Sequence, residues 1–179
     1  MALTLLLGGA RSGKSDAAVR LAIAHAAPVV LIATAEARDA DMAERIERHR
    51  RERPADWVTV EEPLALRAAL TAAPEESCVV LDCLTVWAAN ALERLGAEQA
   101  LHEARAAAVA ARARPGPTIA VTNEVGLGVV PDKPLGRAYR DLLGRVNVAW
   151  AEAAERALLL VAGRALELAH LDPAEAGAR

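Results

Sequence analysis

The sequence predicts a three-layer α/β domain, with helices on both faces of a mostly parallel sheet and an antiparallel hairpin at one edge. Three observations predict it. Short, continuous apolar runs alternate along the chain with longer helix-like stretches, the pattern of buried parallel strands and their crossover helices. A glycine-rich loop, Gly8 to Ser15, joins the first apolar run to the first helix. The last two apolar runs flank Gly163 with no helix between them, so they pair antiparallel.

Leu3–Leu7 reads as a central strand, and Asp16–Ala26 as a helix that Pro28 stops. Val29–Ala33 is the second strand. Asp39–Arg53 is a charge-rich helix stopped by Pro54, and Trp57–Val60 a short strand. Pro63–Ala73 reads as a helix with proline in its first turn, and Cys78–Asp82 as a buried strand. Leu84–Leu95 and Glu98–Arg114 are helical, the second rich in alanine; Pro115-Gly116-Pro117 is a turn. Thr118–Thr122 is a strand, Asn123–Pro134 a loop, and Leu135–Glu155 a long helix. Ala157–Val161 and Ala165–Ala169 form the terminal hairpin. Residues 1–171 therefore make one nucleotide-binding domain, followed by a frayed tail over 172–179.

The loop Gly8-Gly9-Ala10-Arg11-Ser12-Gly13-Lys14-Ser15 has the G-x-x-x-x-G-K-S spacing between strand and helix, which makes this a P-loop (RecA-like) fold. Glycines let the loop turn its N–H groups inward at a phosphate, and the following helix adds its positive end. Lys14 brings a mobile charge to the outer phosphates, and Ser15 a hydroxyl ligand for Mg²⁺. An ordinary glycine-rich turn has no need of the Lys-Ser pair. Ligands of parallel sheets sit beyond the carboxyl ends of the strands, which directs attention to Thr34, Glu61, Asp82 and Asn123-Glu124. Asp82 ends an apolar strand and reads as a Mg²⁺ carboxylate, or else as a cap for the next helix. Glu61 is a weaker case of the same kind, beside Glu62.

His49 lies in Arg48-His49-Arg50-Arg51-Glu52-Arg53. Its spacing from Met42 and Ile46 puts it on the apolar side of the helix. Four arginines around it would disfavour another positive charge, keep the imidazole neutral and nucleophilic, and offer guanidinium forks to phosphates. The plainer alternative is an exposed basic helix face with an incidental histidine. Asn123 to Pro131 places an amide and a carboxylate at the same edge, followed by a loop that either contacts an acceptor or simply connects strand to helix.

Composition excludes other classes. The formal charge is −3, against a general polyanion binder, and the aromatics are three Trp and one Tyr, too few to stack nucleic-acid bases. The chain starts directly in a strand without a signal peptide, and no apolar run reaches the roughly 20 residues that span a bilayer. Cys78 and Cys83 give neither metal nor disulfide spacing and, read on one strand, face opposite sides of the sheet. A reduced, cytoplasmic setting follows. These residues by themselves leave open a plain P-loop small-molecule kinase without a covalent intermediate, and a RecA-like ATPase or nucleotide switch.

Several motifs together narrow this. They are Gly8–Ser15, Ile32-Ala33-Thr34, Asp41-Met42-Ala43 through Arg45-Ile46, and His49 with Arg53-Pro54 and Trp57. Leu81-Asp82-Cys83-Leu84-Thr85, Val121-Thr122-Asn123-Glu124-Val125-Gly126 and Gly144-Arg145-Val146-Asn147 complete the set. From about residue 3 to the terminal strands the chain resembles the bifunctional adenosylcobinamide kinase / adenosylcobinamide-phosphate guanylyltransferase family of cobalamin biosynthesis. The resemblance implies phosphorylation of adenosylcobinamide by ATP or GTP. It then implies transfer of GMP from GTP, through a guanylylated histidine, to adenosylcobinamide phosphate. It places the nucleophile at His49 and the nucleotide contacts at Gly8 to Ser15, Ala33-Thr34-Ala35, Arg50, Arg51, Glu52, Arg53, Glu61 and Asp82. Ser15 and Asp82 would hold Mg²⁺. Lys14 would serve both reactions. A homotrimer with sites near subunit interfaces is also implied. The chain departs from the family in carrying Arg48 where relatives often have a further histidine, and Asp82 where some have Glu.

Overall fold

The computed structural model describes residues 3–51 and 53–170, except for the side chain of Arg45. Glu52 and the expected tail over 172–179 lie outside the described residues. The elements run β1 (Leu3–Gly8), α1 (Lys14–Ala24), β2 (Val29–Ala33), α2 (Ala40–Arg51), β3 (Val58–Glu61), α3 (Leu66–Ala72) and β4 (Cys78–Asp82). They continue α4 (Leu84–Leu95), α5 (Ala97–Ala113), β5 (Thr118–Val121), α6 (Pro134–Ala153), β6 (Arg156–Val161) and β7 (Arg164–Glu167). Among the described residues seven strands form one sheet in the order β3-β2-β4-β5-β1-β6-β7, parallel except for the β6–β7 pair.

Side-chain alternation along the strands builds two apolar layers. Leu3, Leu5 and Leu7 of β1, with Val30, Ile32, Val79, Leu81 and Ala120, face one way into a core shared with α3, α4, α5 and α6. Trp87 and Trp150 are fully buried there, and alanines 100, 104, 107, 108 and 111 let α5 pack closely. Leu6, Leu31, Val80, Ile119 and Val121 face the other way onto Ala18 and Ala22 of α1 and onto Trp57. Helices α1 and α6, which follow β1 and β5, thus lie on opposite faces. Because β1 and β5 are neighbours, a crevice opens between their carboxyl ends, the usual ligand position in such sheets.

Most element boundaries shift by one or two residues from the sequence expectation, and three of the differences have clear local reasons. Helix α3 begins at Leu66 rather than Pro63, because the Glu62 carboxylate accepts the N–H groups of Leu64 at 2.9 Å and Ala65 at 2.7 Å and holds those residues in a turn. Pro134, placed in the loop by sequence, opens α6, where its missing N–H costs nothing. Arg114 leaves α5, and its guanidinium reaches the carbonyls of Leu70, Ala73, Pro74 and Ser77 at 2.8–3.1 Å, closing the C-terminal end of α3. The cysteine expectation also fails. Strand β4 ends at Asp82, so Cys83 is off the strand and packs into the same layer as Cys78. Both thiols are free.

Candidate active site

Strand register sets the site. Ala33 pairs with both Glu61 and Asp82, Asp82 with Val121, and Val121 with Leu6, so Glu61, Ala33, Asp82 and the approach to the phosphate loop share one row. Strands are spaced by about 4.8 Å, which sets Asp82 about two strand widths from β1.

The loop between β1 and α1 is held from several directions. Gly13 is the N-cap at φ 94°, a conformation that favours glycine. The Lys14 ammonium donates to the carbonyls of Gly8 at 3.0 Å and Gly9 at 2.6 Å and to Ser12 Oγ at 3.3 Å, so it stretches back across the loop it follows. The Glu124 N–H also donates to the Gly8 carbonyl, at 3.1 Å, joining the segment after β5 to the loop. That segment rests on a buried polar chain. Thr122 Oγ1 donates to Asn147 Oδ1 at 2.7 Å, Asn147 Nδ2 to the Asn123 carbonyl at 3.0 Å, and the Asn123 N–H to Thr85 Oγ1 at 2.7 Å. The Tyr139 hydroxyl donates to the Thr85 carbonyl at 3.1 Å; burial pushes it up to about 12, so the donor keeps its proton.

Beside the loop, a small cavity is lined by Ser15, Arg53, Trp57 and Asp82. An adjoining cavity, open to solvent, is lined by Ala33, Ala35, Met42, Ile46, His49, Arg50, Arg53, Glu61, Asp82 and Cys83 among others. Arg53 and Asp82 border both cavities. Arg53 Nη2 donates to Asp82 Oδ2 at 2.7 Å, with the two side chains 14% and 16% exposed. His49 Nδ1 stands 3.8 Å from the same oxygen. Burial works against ionising Asp82, but the facing His49 and the Arg53 charge together outweigh it and hold the carboxyl below its ordinary value. Burial and the Asp82 charge push the neighbouring Cys83 thiol up to about 11.

Met42, Ile46 and His49 line one wall, as their spacing requires. The expected crowd of arginines is arranged differently. Arg50 is drawn to Glu47 at 2.9 Å and to Glu61, and Arg53 to Asp82. A carboxylate therefore stands beside the imidazole, and Arg50 and Arg53, each paired with a carboxylate, line the same cavity. Arg48 and Arg51 are exposed, and neither borders the two cavities. Thr34 is fully buried, and its hydroxyl both donates to the Cys83 carbonyl at 2.8 Å and accepts the Cys83 N–H at 3.0 Å. It fastens the ends of β2 and β4, leaving Ala33 and Ala35 to face the cavity. Asn90 was not singled out by sequence, yet its amide secures the carbonyls of Thr34 and Pro63 at 3.0 and 3.2 Å. Thr85, Tyr139 and Asn147 were likewise without an assigned task; only a fold shows which polar side chains meet. Among the described residues no three His, Cys, Asp or Glu side chains cluster as a metal site, and no helix is long and apolar enough to cross a membrane.

A parallel sheet with a glycine-rich phosphate loop at its switch point, a strand-end carboxylate and an adjoining cavity defines a P-loop nucleotide-binding enzyme. At the level of fold, the chain superposes on an ATPase of the type III secretion system of pathogenic bacteria with TM-score 0.53 and 15% identity, covering 89% of this chain and 51% of that one. The family is shown by sequence. Residues 4–168 match the model described as cobinamide kinase / cobinamide phosphate guanyltransferase, and the chain belongs to that family. It is 47% identical over 171 residues to the bifunctional adenosylcobalamin biosynthesis protein CobP of Pseudomonas aeruginosa, covering 92% of this chain and 95% of that protein. It is 40% identical over 176 residues to the bifunctional adenosylcobalamin biosynthesis protein CobU of Salmonella typhimurium, covering 90% and 96%.

Proposed function

We propose that this chain performs both reactions of its family at one nucleotide site, and that His49 carries GMP between them. In the first, the phosphate loop with Lys14 holds a nucleoside triphosphate, ATP or GTP, whose γ-phosphoryl passes to the hydroxyl of adenosylcobinamide. In the second, a His49 nitrogen attacks the α-phosphorus of GTP. A nitrogen–phosphorus bond forms, the bond to the bridging oxygen breaks, and pyrophosphate leaves. A phosphate oxygen of adenosylcobinamide phosphate then displaces the histidine, giving adenosyl-GDP-cobinamide. A loop that cradles two phosphates suits both cleavages, since it also receives the charge that develops on departing pyrophosphate.

The observation that carries this reading is the Arg53–Asp82 pair. It borders the cavity of Ser15 on one side and that of His49 on the other, so phosphate loop and nucleophile share one floor. A carboxylate on the Nδ1 side favours the tautomer protonated there and leaves the Nε2 lone pair for attack. Arg50 and Arg53 line the His49 cavity together with Ala33, Ala35 and Glu61, and their guanidiniums would meet phosphate oxygens there. The Ser15 hydroxyl and the Asp82 carboxylate are oxygen donors on one small cavity. That suits Mg²⁺, which takes one or two protein oxygens and completes its shell with phosphates and water. Bound there, Mg²⁺ would neutralise phosphate charge.

Two further parts of the reading extend beyond the site. The free thiols fit a cytoplasmic setting. A homotrimer would cover some of the exposed apolar surface that Leu127, Val129, Val130 and Leu135 present at the functional edge.

The test is covalent trapping. Protein incubated with Mg²⁺ and GTP radiolabelled at the α-phosphate, then denatured, should carry an acid-labile, alkali-stable label. His49→Ala should lose the label and keep cobinamide phosphorylation, whereas Lys14→Ala should lose both. A folded, kinase-active wild type without label would refute the histidine carrier.

A further inference from the structure

The terminal hairpin touches the phosphate loop at three points. The Gly163 N–H donates to the Ser12 carbonyl at 2.9 Å. A Cβ on Gly13 would stand 3.2 Å from Gly163 Cα, and one on Gly8 only 2.4 Å from the Leu160 carbonyl oxygen. The loop is thus seated against the end of β6 and the turn that follows it. Ala162 and Gly163 join β6 to β7 with φ of 51° and 74°, the positive pair of a two-residue hairpin turn.

We infer that this turn is a positioning element for nucleotide binding: by holding the Ser12 carbonyl outward, the Gly163 N–H orients the Ser12–Gly13 peptide so that the Gly13 N–H faces the phosphates. The inference rests on the reading that the loop holds nucleotide phosphates. In a planar trans peptide the C=O and N–H point in opposite directions, so a partner for one aims the other. A phosphate cradle needs inward N–H groups, and hence outward carbonyls that find donors elsewhere. For Ser12 the donor comes from the far end of the chain. Gly163 is not glycine for lack of room, since a Cβ there would meet nothing within 4 Å. Its positive φ is what the turn requires.

Two measurements test this. In the wild type, amide resonances are followed while Mg²⁺ and inorganic pyrophosphate are added. The Gly13 N–H should move downfield together with Lys14 and Ser15. Movement of Lys14 and Ser15 without Gly13 overturns the inference and leaves the phosphate loop standing; no movement at any of the three sinks both. The second measurement replaces the Gly163 amide by an ester through semisynthesis, which removes the N–H and keeps the glycine-like freedom that the positive φ requires. GTP should then bind roughly fivefold or more weakly, the worth of one hydrogen bond. Unchanged affinity in the folded ester protein overturns the inference. If the ester protein does not fold, the wild-type Gly13 resonance decides.

Discussion

Replacing Arg53 by methionine removes one guanidinium and keeps most of its packing volume. Arg53 donates to Asp82 at 2.7 Å with both side chains about one-sixth exposed, so the pair behaves more like a buried than a surface ion pair. Exposed pairs contribute less than about 1 kcal/mol, and removing one partner of a buried pair costs about 3–5 kcal/mol. Partial exposure here places the cost at roughly 2–3 kcal/mol near neutral pH, from the same considerations. For a chain of this size that lowers Tm by about 4–12 °C.

The pH dependence identifies the cause. In the native protein Asp82 is held below its ordinary value, so its stabilising contribution is full above the unfolded value of about 3.9 and is lost as pH falls through the folded one. Without Arg53, burial is opposed chiefly by His49, and the folded value rises. The variant then carries an unfavourable carboxylate near neutral pH and is relieved of it by protonation as pH falls. Urea unfolding at pH 7.5 and pH 4.5 would measure this, and the deficit should be smaller at the lower pH. An equal deficit at both would mean that packing, not charge, is lost. No deficit at either would show that the pair does not hold Asp82 at all.

Gly8→Ala should abolish GTP binding and destabilise the fold, because its Cβ would lie 2.4 Å from the Leu160 carbonyl oxygen; calorimetric titration and thermal unfolding check both halves. Asn147→Leu strands the Thr122 hydroxyl and the Asn123 carbonyl, and should cost about 2 kcal/mol in urea unfolding while slowing turnover through the segment that meets Gly8. Cys78 and Cys83 are each pushed up to about 11 by burial, so at pH 8 iodoacetamide should modify the native protein slowly and the urea-unfolded chain at both positions within minutes; rapid native labelling would contradict their burial.

Much of the architecture was legible because it is written locally. The apolar runs 29–33 and 78–82 are strands at those very bounds, since a strand buried on both faces must be continuously apolar. The Gly163 turn between two strands foretold the antiparallel edge. Boundaries failed where a side chain captured backbone groups, as Glu62 does in the turn before α3 and as Arg114 does on leaving α5 to reach the carbonyls at and after the end of α3. The site divides in the same way. Sequence located His49 on the apolar side of its helix, and register then put Asp82 and Glu61 beyond the same row of strand ends. Sequence placed arginines around the imidazole; the fold adds a carboxylate beside it, because charges distant in sequence pair once strands align.

By itself, then, the chain's order of residues determined the parallel sheet, the phosphate loop and the family to which the protein belongs. Each depends on short-range pattern: apolar runs, the G-x-x-x-x-G-K-S spacing, and motifs read along one strand or helix. Only the tertiary structure decided which groups brace that loop and which share its floor. Gly163 reaches Ser12, Glu124 reaches Gly8, and Arg53 stands between Ser15 and His49. Those contacts join segments far apart in the chain. They exist only after the sheet has brought its strand ends into one row, and no local pattern encodes a meeting of that kind.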